Sequence, residues 1–147
     1  MTFSRPAWFW LLVVAVGLFS FGCDEATIDA TPEPVPVRFV FGMRSDPSGA
    51  QNFSAATTDS DVIAQARLQL NVPREQRTLI IIGPIARGAE GNVPWSWHFV
   101  ESAWELDETA IEVCDATPTY VEEHLDDWLK SPITFCPWDS ILLSEDR

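Results

Sequence analysis

The sequence predicts an α+β domain, a two-layer sandwich in which two helices lie on one face of a mainly antiparallel sheet. Three observations carry this. Short runs such as Val37–Met43 and Pro94–Val100 alternate apolar residues with others, the period of half-buried strands. Two stretches, beginning at Thr58 and at Thr117, place their apolar residues three and four apart behind capping residues. Between these runs stand clusters of Gly, Pro, Asn, Asp and Ser, which punctuate the chain into short elements.

The domain does not start at the first residue. Met1 to Gly22 reads as a targeting segment: Arg5 and the free amine form a short positive region, and Ala7 to Phe21 runs apolar, with small residues at Ser20 and Gly22. The run is too short and too one-sided to favour a spanning helix. The expected cleavage point is Gly22-Cys23, which resembles a bacterial lipoprotein signal, where the cysteine thiol is lipidated and becomes the new N-terminus. Ser20 stands where that motif usually has Leu, and Phe21 where it usually has a small residue, so plain secretion is the alternative. Residues 23–36 are polar, acidic and rich in proline, too poor in apolar surface to fold, and read as a tether. The expected location is the bacterial cell envelope, as a lipid-anchored or a secreted protein whose membrane contact is the N-terminal lipid alone.

About 110 residues remain from Val37 onward, the size of one domain with one core. Val37-Arg-Phe-Val-Phe-Gly-Met43 puts Val37, Phe39, Phe41 and Met43 on one side and is a first strand. Ser45 to Thr58, with Asp-Pro, Ser-Gly and Asn, reads as a mobile surface loop. Thr58 to Asp61 forms a capping box ahead of Val62, Ile63, Ala66 and Leu70, which share a helical face, and Asn71 and Pro73 end that helix. Thr78 to Ile82 is a continuous apolar run expected as a central strand, to weaken, bulge or lie at an edge by Pro84. Gly88 to Asn92 lacks the lysine and spacing of a phosphate-binding loop and reads as a hairpin connection. Pro94 to Val100 places Trp95, Trp97 and Phe99 on one face, and Trp104 and Leu106 suggest a further short strand.

The segment from Ala110 to Trp128 then reads as a strand, a capped turn and a helix. Ile111 and Val113 alternate with Glu112 and Asp115. Two N-caps stand open: Thr117 with Pro118 at the first helical position, or Thr119 with Glu122 one register later. Val121, Leu125, Trp128 and Leu129 share the apolar face, and Glu122, Glu123, Asp126 and Asp127 the other. Ile133 to Trp138 crosses back and Ser140 to Leu143 makes the last strand. The order β-α-β-β-β-α-β is similar in layout to a ferredoxin-like fold with an extra hairpin.

Charge narrows the function classes. The formal net charge is −13, and between Arg87 and Lys130 there are eleven Asp or Glu and no Lys or Arg. Nucleic acid is not an expected partner of such a surface. The acidic surface proposed for binding consists of Glu105, Asp107, Glu108, Glu122, Glu123, Asp126 and Asp127, its partners a basic protein or peptide, or a divalent cation, with no other cofactor expected. If Cys23 carries lipid, Cys114 and Cys136 remain as one pair in an oxidising compartment, the condition for a structural disulfide. His98, near Glu101 and Asp107, and His124, near Glu123 and Asp127, are the candidates for general acid-base or metal chemistry in a small envelope hydrolase, although no nucleophile-elbow, zinc or calcium-loop motif accompanies them. Trp128 and Trp138 are expected in the core. Trp95 and Trp97, if their face were exposed, would make a stacking platform for a glycan.

Pro94-Trp-Ser-Trp-His-Phe99, Ala110 to Ala116, Tyr120 to Asp126 and Cys136-Pro-Trp138 resemble the BP-seventy-four N-terminal domain family. The resemblance covers most of the chain from Val37 to Leu143 and is most specific in its second half. It implies a shared fold and a shared cysteine pair, and it transfers no catalytic residue. The function expected from the sequence is thus a non-catalytic binding module with an acidic surface, the hydrolase and the glycan-binding domain being the alternatives.

Overall fold

The computed structural model describes residues 33–130 and 134–146. The targeting segment, Cys23 and the tether up to Pro32 lie outside them, and Glu33 to Pro36 are irregular and exposed. The domain is α+β and mostly strand: β1 (Val37–Met43), β2 (Phe53–Thr57), α1 (Ser60–Leu70), β3 (Ile80–Ile82), β4 (Ile85–Arg87), β5 (Trp97–Phe99), β6 (Glu105–Asp107), α2 (Pro118–Glu123), α3 (Leu125–Lys130) and β7 (Ser140–Asp146). Among the described residues every strand pair is antiparallel, and the strands are shared among three sheets, β2-β1-β7, β3-β6 and β4-β5.

β1 is the central strand of the largest sheet, and its Phe39, Phe41 and Met43 are buried as their alternation predicts. The expected loop from Ser45 to Thr58 contains a strand instead. β2 pairs with β1 from Phe41↔Phe53 to Val37↔Thr57, and Phe53, Ala55 and Thr57 point inward. The inward side chains include only one large apolar residue, so the period-2 signal is faint, and it is the pairing with β1 that makes the strand. Only residues 44–52 connect the two strands. There Asp46 accepts hydrogen bonds from the N–H groups of Ser48 and Gln51, and its bond from the Ser48 hydroxyl is the first of the causes that hold its carboxyl below the usual range.

α1 is capped by Asp59, whose carboxylate accepts from the N–H of Asp61 (2.8 Å) and Val62 (3.2 Å). The cap is thus one residue later than the Thr58 box, because Thr58 is engaged by Ser102. Ala66 is buried, and Val62, Ile63 and Leu70 pack on the core as expected, with Asn71 as the C-cap.

The run at Thr78–Ile82 yields β3, which is not central: it pairs with β6 alone. Pro84 separates it from β4, since proline has no N–H for a ladder. Gly83 fills a tight crossing at this break. It exchanges backbone hydrogen bonds with Phe135, and a Cβ placed on it would lie 2.5 Å from the Cβ of Trp104. Gly88 to Asn92 is the expected hairpin connection, but the strand it joins to β5 is β4, at Ile85–Arg87 where no separate strand is expected, with Arg87 opposite Trp97. The side chain of Asn92 is buried in that connection, accepting from the N–H of Ser54 (2.7 Å) and donating to the carbonyl of Trp97 (2.9 Å).

The core is aromatic. Phe41 stacks on Phe53 at 5.5 Å, Phe99 on Phe135 at 5.6 Å, and Trp97 and Trp104 meet Phe135 and Phe41 edge-on at 5.4 and 5.9 Å. Each such pair contributes roughly 0.5–1.5 kcal/mol beyond the area it buries.

Candidate functional site

The segment from Ala110 to Ala116 forms no strand. It makes a single 3-10 turn at Glu112–Cys114 and leaves Ile111 and Val113 exposed, at 68% and 72%. Two apolar residues in alternation need a partner strand and an inner layer to become a half-buried strand, and this segment finds neither among the described residues. What fixes it is the Cys114–Cys136 disulfide, with Cα atoms 5.2 Å apart, and a hydrogen bond from the Cys136 N–H to the Cys114 carbonyl (2.9 Å). The disulfide therefore closes a loop over a sequence separation of 22 and pins a ridge to the surface.

The helix that follows takes the first of the two open caps: the Thr117 hydroxyl accepts from the Tyr120 N–H (3.2 Å), and Pro118 opens α2. The helical run breaks at His124, between α2 and α3. The imidazole of His124 stacks on Tyr120 with ring centres 4.1 Å apart, and its Nδ1 hydrogen bonds the Tyr120 carbonyl at 2.9 Å. A carbonyl only accepts, so Nδ1 carries the proton and Nε2 is left as the free face of the ring. Val121 and Leu125 are buried, and Trp128 and Leu129 are half-buried against the core. The apolar face drawn from the sequence is therefore real.

On the outer side Val113, Asp115, Tyr120, His124, Asp127 and Trp128 line an open cleft of about 310 Å³. Tyr120 is 50% exposed. Asp127 is bonded by the Lys130 ammonium at 3.0 Å, and this lowers its pKa below the usual 3.8, helped by the charge of Lys130 and the proximity of His124. Asp115 accepts the backbone N–H of Trp138 at 2.9 Å, which ties the cleft to the ridge.

The seven carboxylates expected to form one acidic surface are divided between the β6 segment and the helices α2 and α3. Glu105 and Asp107 flank buried Leu106 on β6, with Glu108 just beyond; Glu122, Glu123, Asp126 and Asp127 lie on α2 and α3. Several are engaged within the chain. Glu122 accepts the backbone N–H (2.9 Å) and hydroxyl (2.7 Å) of Ser96, Asp126 pairs with Arg87, and Asp107 accepts the N–H groups of Glu108 and Thr109. Glu105, Asp107, Glu108, Glu122 and Glu123 have no ion-pair partner among the described residues. Nor, among these, does any group of three or more His, Cys, Asp or Glu come together to hold a metal ion.

The two histidines do not converge. His98 is half-buried, with Nδ1 2.7 Å from the Gly88 carbonyl, in a separate cleft shared with Arg38, Glu90 and Glu101; Asp107 does not line it. Trp95 and Trp97 are 8% and 0% exposed, so the glycan platform assigned to them has no free face. Their rings are 6.0 Å apart and packed inward, and the Trp95 indole N–H is taken by the Asn52 carbonyl. Trp138, expected in the core, is 43% exposed instead. Its place between Pro137 and Asp139, both turn-forming residues, is the signal that could have found it, because connecting turns run over the surface.

Residues 37–147 match the BP-seventy-four N-terminal domain family. The chain belongs to that family. No curated protein and no solved structure matches it. The BP-seventy-four N-terminal domain match runs from β1 to the end of β7, so it takes in both the aromatic core and the disulfide-pinned ridge. Among the described residues no helix is long and apolar enough to cross a membrane.

Proposed function

We propose that this domain is a non-catalytic binding module of the cell envelope that docks a basic segment of another protein, with the Tyr120–Trp128 cleft receiving a lysine or arginine side chain. One observation carries the reading: an exposed Tyr120 and a half-buried Trp128 line the same cleft as Asp115 and Asp127. Aromatic faces attract a cation through the ring quadrupole, and the two carboxylates add charge-assisted acceptors. Ile111 and Val113 on the neighbouring ridge supply exposed apolar surface of the kind that marks contact sites. Glu123, which has no ion-pair partner among the described residues, extends the negative potential on the same helical run and steers a positive partner toward it. The leader and Gly22-Cys23 junction support placing the module in the envelope, tethered by lipid at Cys23.

Binding to the native state raises its melting temperature, so a titration with oligolysine and oligoarginine peptides at low salt tests the reading. The expected result is a saturable rise in melting temperature with a change in tryptophan fluorescence, both weakened by added salt. Asp127→Asn and Tyr120→Ala should each lower the affinity, by about tenfold for a loss near 1.4 kcal/mol. No shift with either peptide at low salt overturns it. A hydrolytic activity lost in His98→Ala or His124→Ala would move the assignment to catalysis.

A further inference from the structure

A second cleft, of about 380 Å³ and sharing no lining residue with the Tyr120–Trp128 cleft, is lined by Arg44, Thr78, Ile80, Glu108, Thr109 and Trp138. Its volume lies in the range of small-molecule sites, roughly 300–1,000 Å³. We propose that it binds a neutral saccharide, stacked on Trp138 and hydrogen-bonded between Arg44 and Glu108. This site is independent of the Tyr120–Trp128 cleft and of the peptide reading attached to it.

The argument rests on which ligand chemistry the lining satisfies. Arg44 donates to the backbone carbonyls of Ser140 and Arg77, which hold the guanidinium in place with three of its five N–H groups left over. Glu108 lines the same cleft, yet the two side chains form no ion pair. A cation and an anion lining one cleft disfavour a ligand whose charge is all of one sign, and a wholly apolar ligand would strand both. A sugar hydroxyl both donates and accepts, so hydroxyls of one ring satisfy Glu108 and Arg44 together, with the hydroxyls of Thr78 and Thr109 as further partners. The remaining lining is apolar. Trp138 is 43% exposed, and an indole face has the negative quadrupole that receives the C–H face of a pyranose ring. Ile80, at 6% exposure, forms a dry floor.

The test uses full-length protein purified in detergent, with ¹⁵N-labelled indoles, titrated with cellohexaose, maltohexaose and chitohexaose, and with a hyaluronan hexasaccharide as the anionic contrast. At least one neutral sugar should move the Trp138 indole signal saturably, ahead of the anionic one. Read by titration calorimetry, since the position-138 variants lack that indole, Trp138→Ala should weaken the binding about tenfold or more and Glu108→Gln several-fold, whereas Trp138→Phe retains most of it and Tyr120→Ala leaves it unchanged. The exposure of Trp138 makes these variants safe for folding, which an unchanged melting temperature verifies. The proposal is overturned if no neutral sugar moves the signal at about 10 mM, a level that detects binding weaker than about −4 kcal/mol. It is equally overturned if the anionic sugar binds best, or if Trp138→Ala binds as the wild type does. Failure of the sugar arm leaves the peptide titration standing, since Tyr120→Ala affects that one alone.

Discussion

Two parts of this domain carry its aromatic residues, and they use them in opposite ways. From Trp95 to Trp104 three tryptophans and Phe99 are buried among Phe41, Phe53 and Phe135. From Ala110 to Trp138 the chain instead exposes Ile111, Val113, Tyr120 and Trp138 around one disulfide. Alternation of apolar residues is present in both segments. It tells which residues share a face, but a face is buried only if another layer covers it. Around Trp97 the covering is supplied by β1, β2 and Phe135; along the ridge a covalent bond replaces it.

The largest expected effect sharpens that contrast. Trp97→Ala removes a fully buried indole from a site hemmed in by Phe53, Phe99 and Phe135, and large-to-small changes of this kind cost about 3–5 kcal/mol. Trp138→Ala deletes the same side chain at the surface and should stay within about 0.5 kcal/mol of the wild type. Chemical denaturation of both variants measures the difference. Equal costs would mean that Trp138 is packed, and would break the comparison.

Next in size is the disulfide. Removing it as the double variant Cys114→Ser, Cys136→Ser should lower stability by about 3 kcal/mol, the chain-entropy value for a loop of this length. Hydrogen exchange should show the loss concentrated from Ala110 to Ala116, where nothing else pairs the backbone into a sheet, with the β1–β2 ladder protected as before. Loss of protection in β1 first would mean that the ridge supports the core.

How much of this was legible depended on the local signal. β1, α1, the hairpin connection at Gly88 to Asn92, and the apolar face of α2 and α3 all stand where strong periodicity or turn chemistry put them, whereas β4 was not foreseen. β2 was hidden because Ala55 and Thr57 are small inward residues among loop-forming neighbours. The strand predicted at Ile111 and Val113 failed because period 2 says nothing of a missing partner, and the cysteine that fixes the segment also removes the need for one. Of the candidate site, the carboxylates were visible as composition. Their division between β6 and the helices was not, because it depends on where strands of three residues pair. The cleft residue Asp115 and Trp138, 23 positions apart, are brought together by the Cys114–Cys136 link and by the hydrogen bond from the Trp138 N–H to Asp115.

A smaller effect separates tryptophans within the core. The Trp104 indole N–H donates to the Ala56 carbonyl at 2.8 Å, whereas that of Trp97 is buried without a partner among the described residues. Trp104→Phe leaves a carbonyl without its donor; Trp97→Phe removes a donor that had no acceptor, which offsets part of the lost ring area. Trp104→Phe should therefore be the more destabilising of the two by about 1 kcal/mol. A larger loss for Trp97→Phe would show that ring packing outweighs hydrogen bonding there.

The smallest effect belongs to the exposed side of the comparison. The bond from Lys130 lowers the Asp127 pKa below 3.8, with the charge of Lys130 and then that of His124 acting in the same direction. A carboxyl whose pKa is depressed on folding contributes stability that is present above its unfolded value and is lost as the pH falls through the folded one. The contribution is thus complete at neutral pH and disappears below about pH 3.8. Lys130, raised above 10.5 by the same bond, contributes below that value and loses its contribution as the pH rises through its folded pKa. The ion pair is therefore intact across the whole range between the two. Both side chains are about three-quarters exposed, so solvent and salt screen the pair heavily. The melting temperature of wild type should exceed that of Asp127→Asn only slightly at about pH 7, less in high salt, and not at all at about pH 2. A gap that persists in acid cannot come from the charge on Asp127, and would mean that its carboxyl is packed into the Tyr120 cleft as firmly as Asn92 is packed between Ser54 and Trp97.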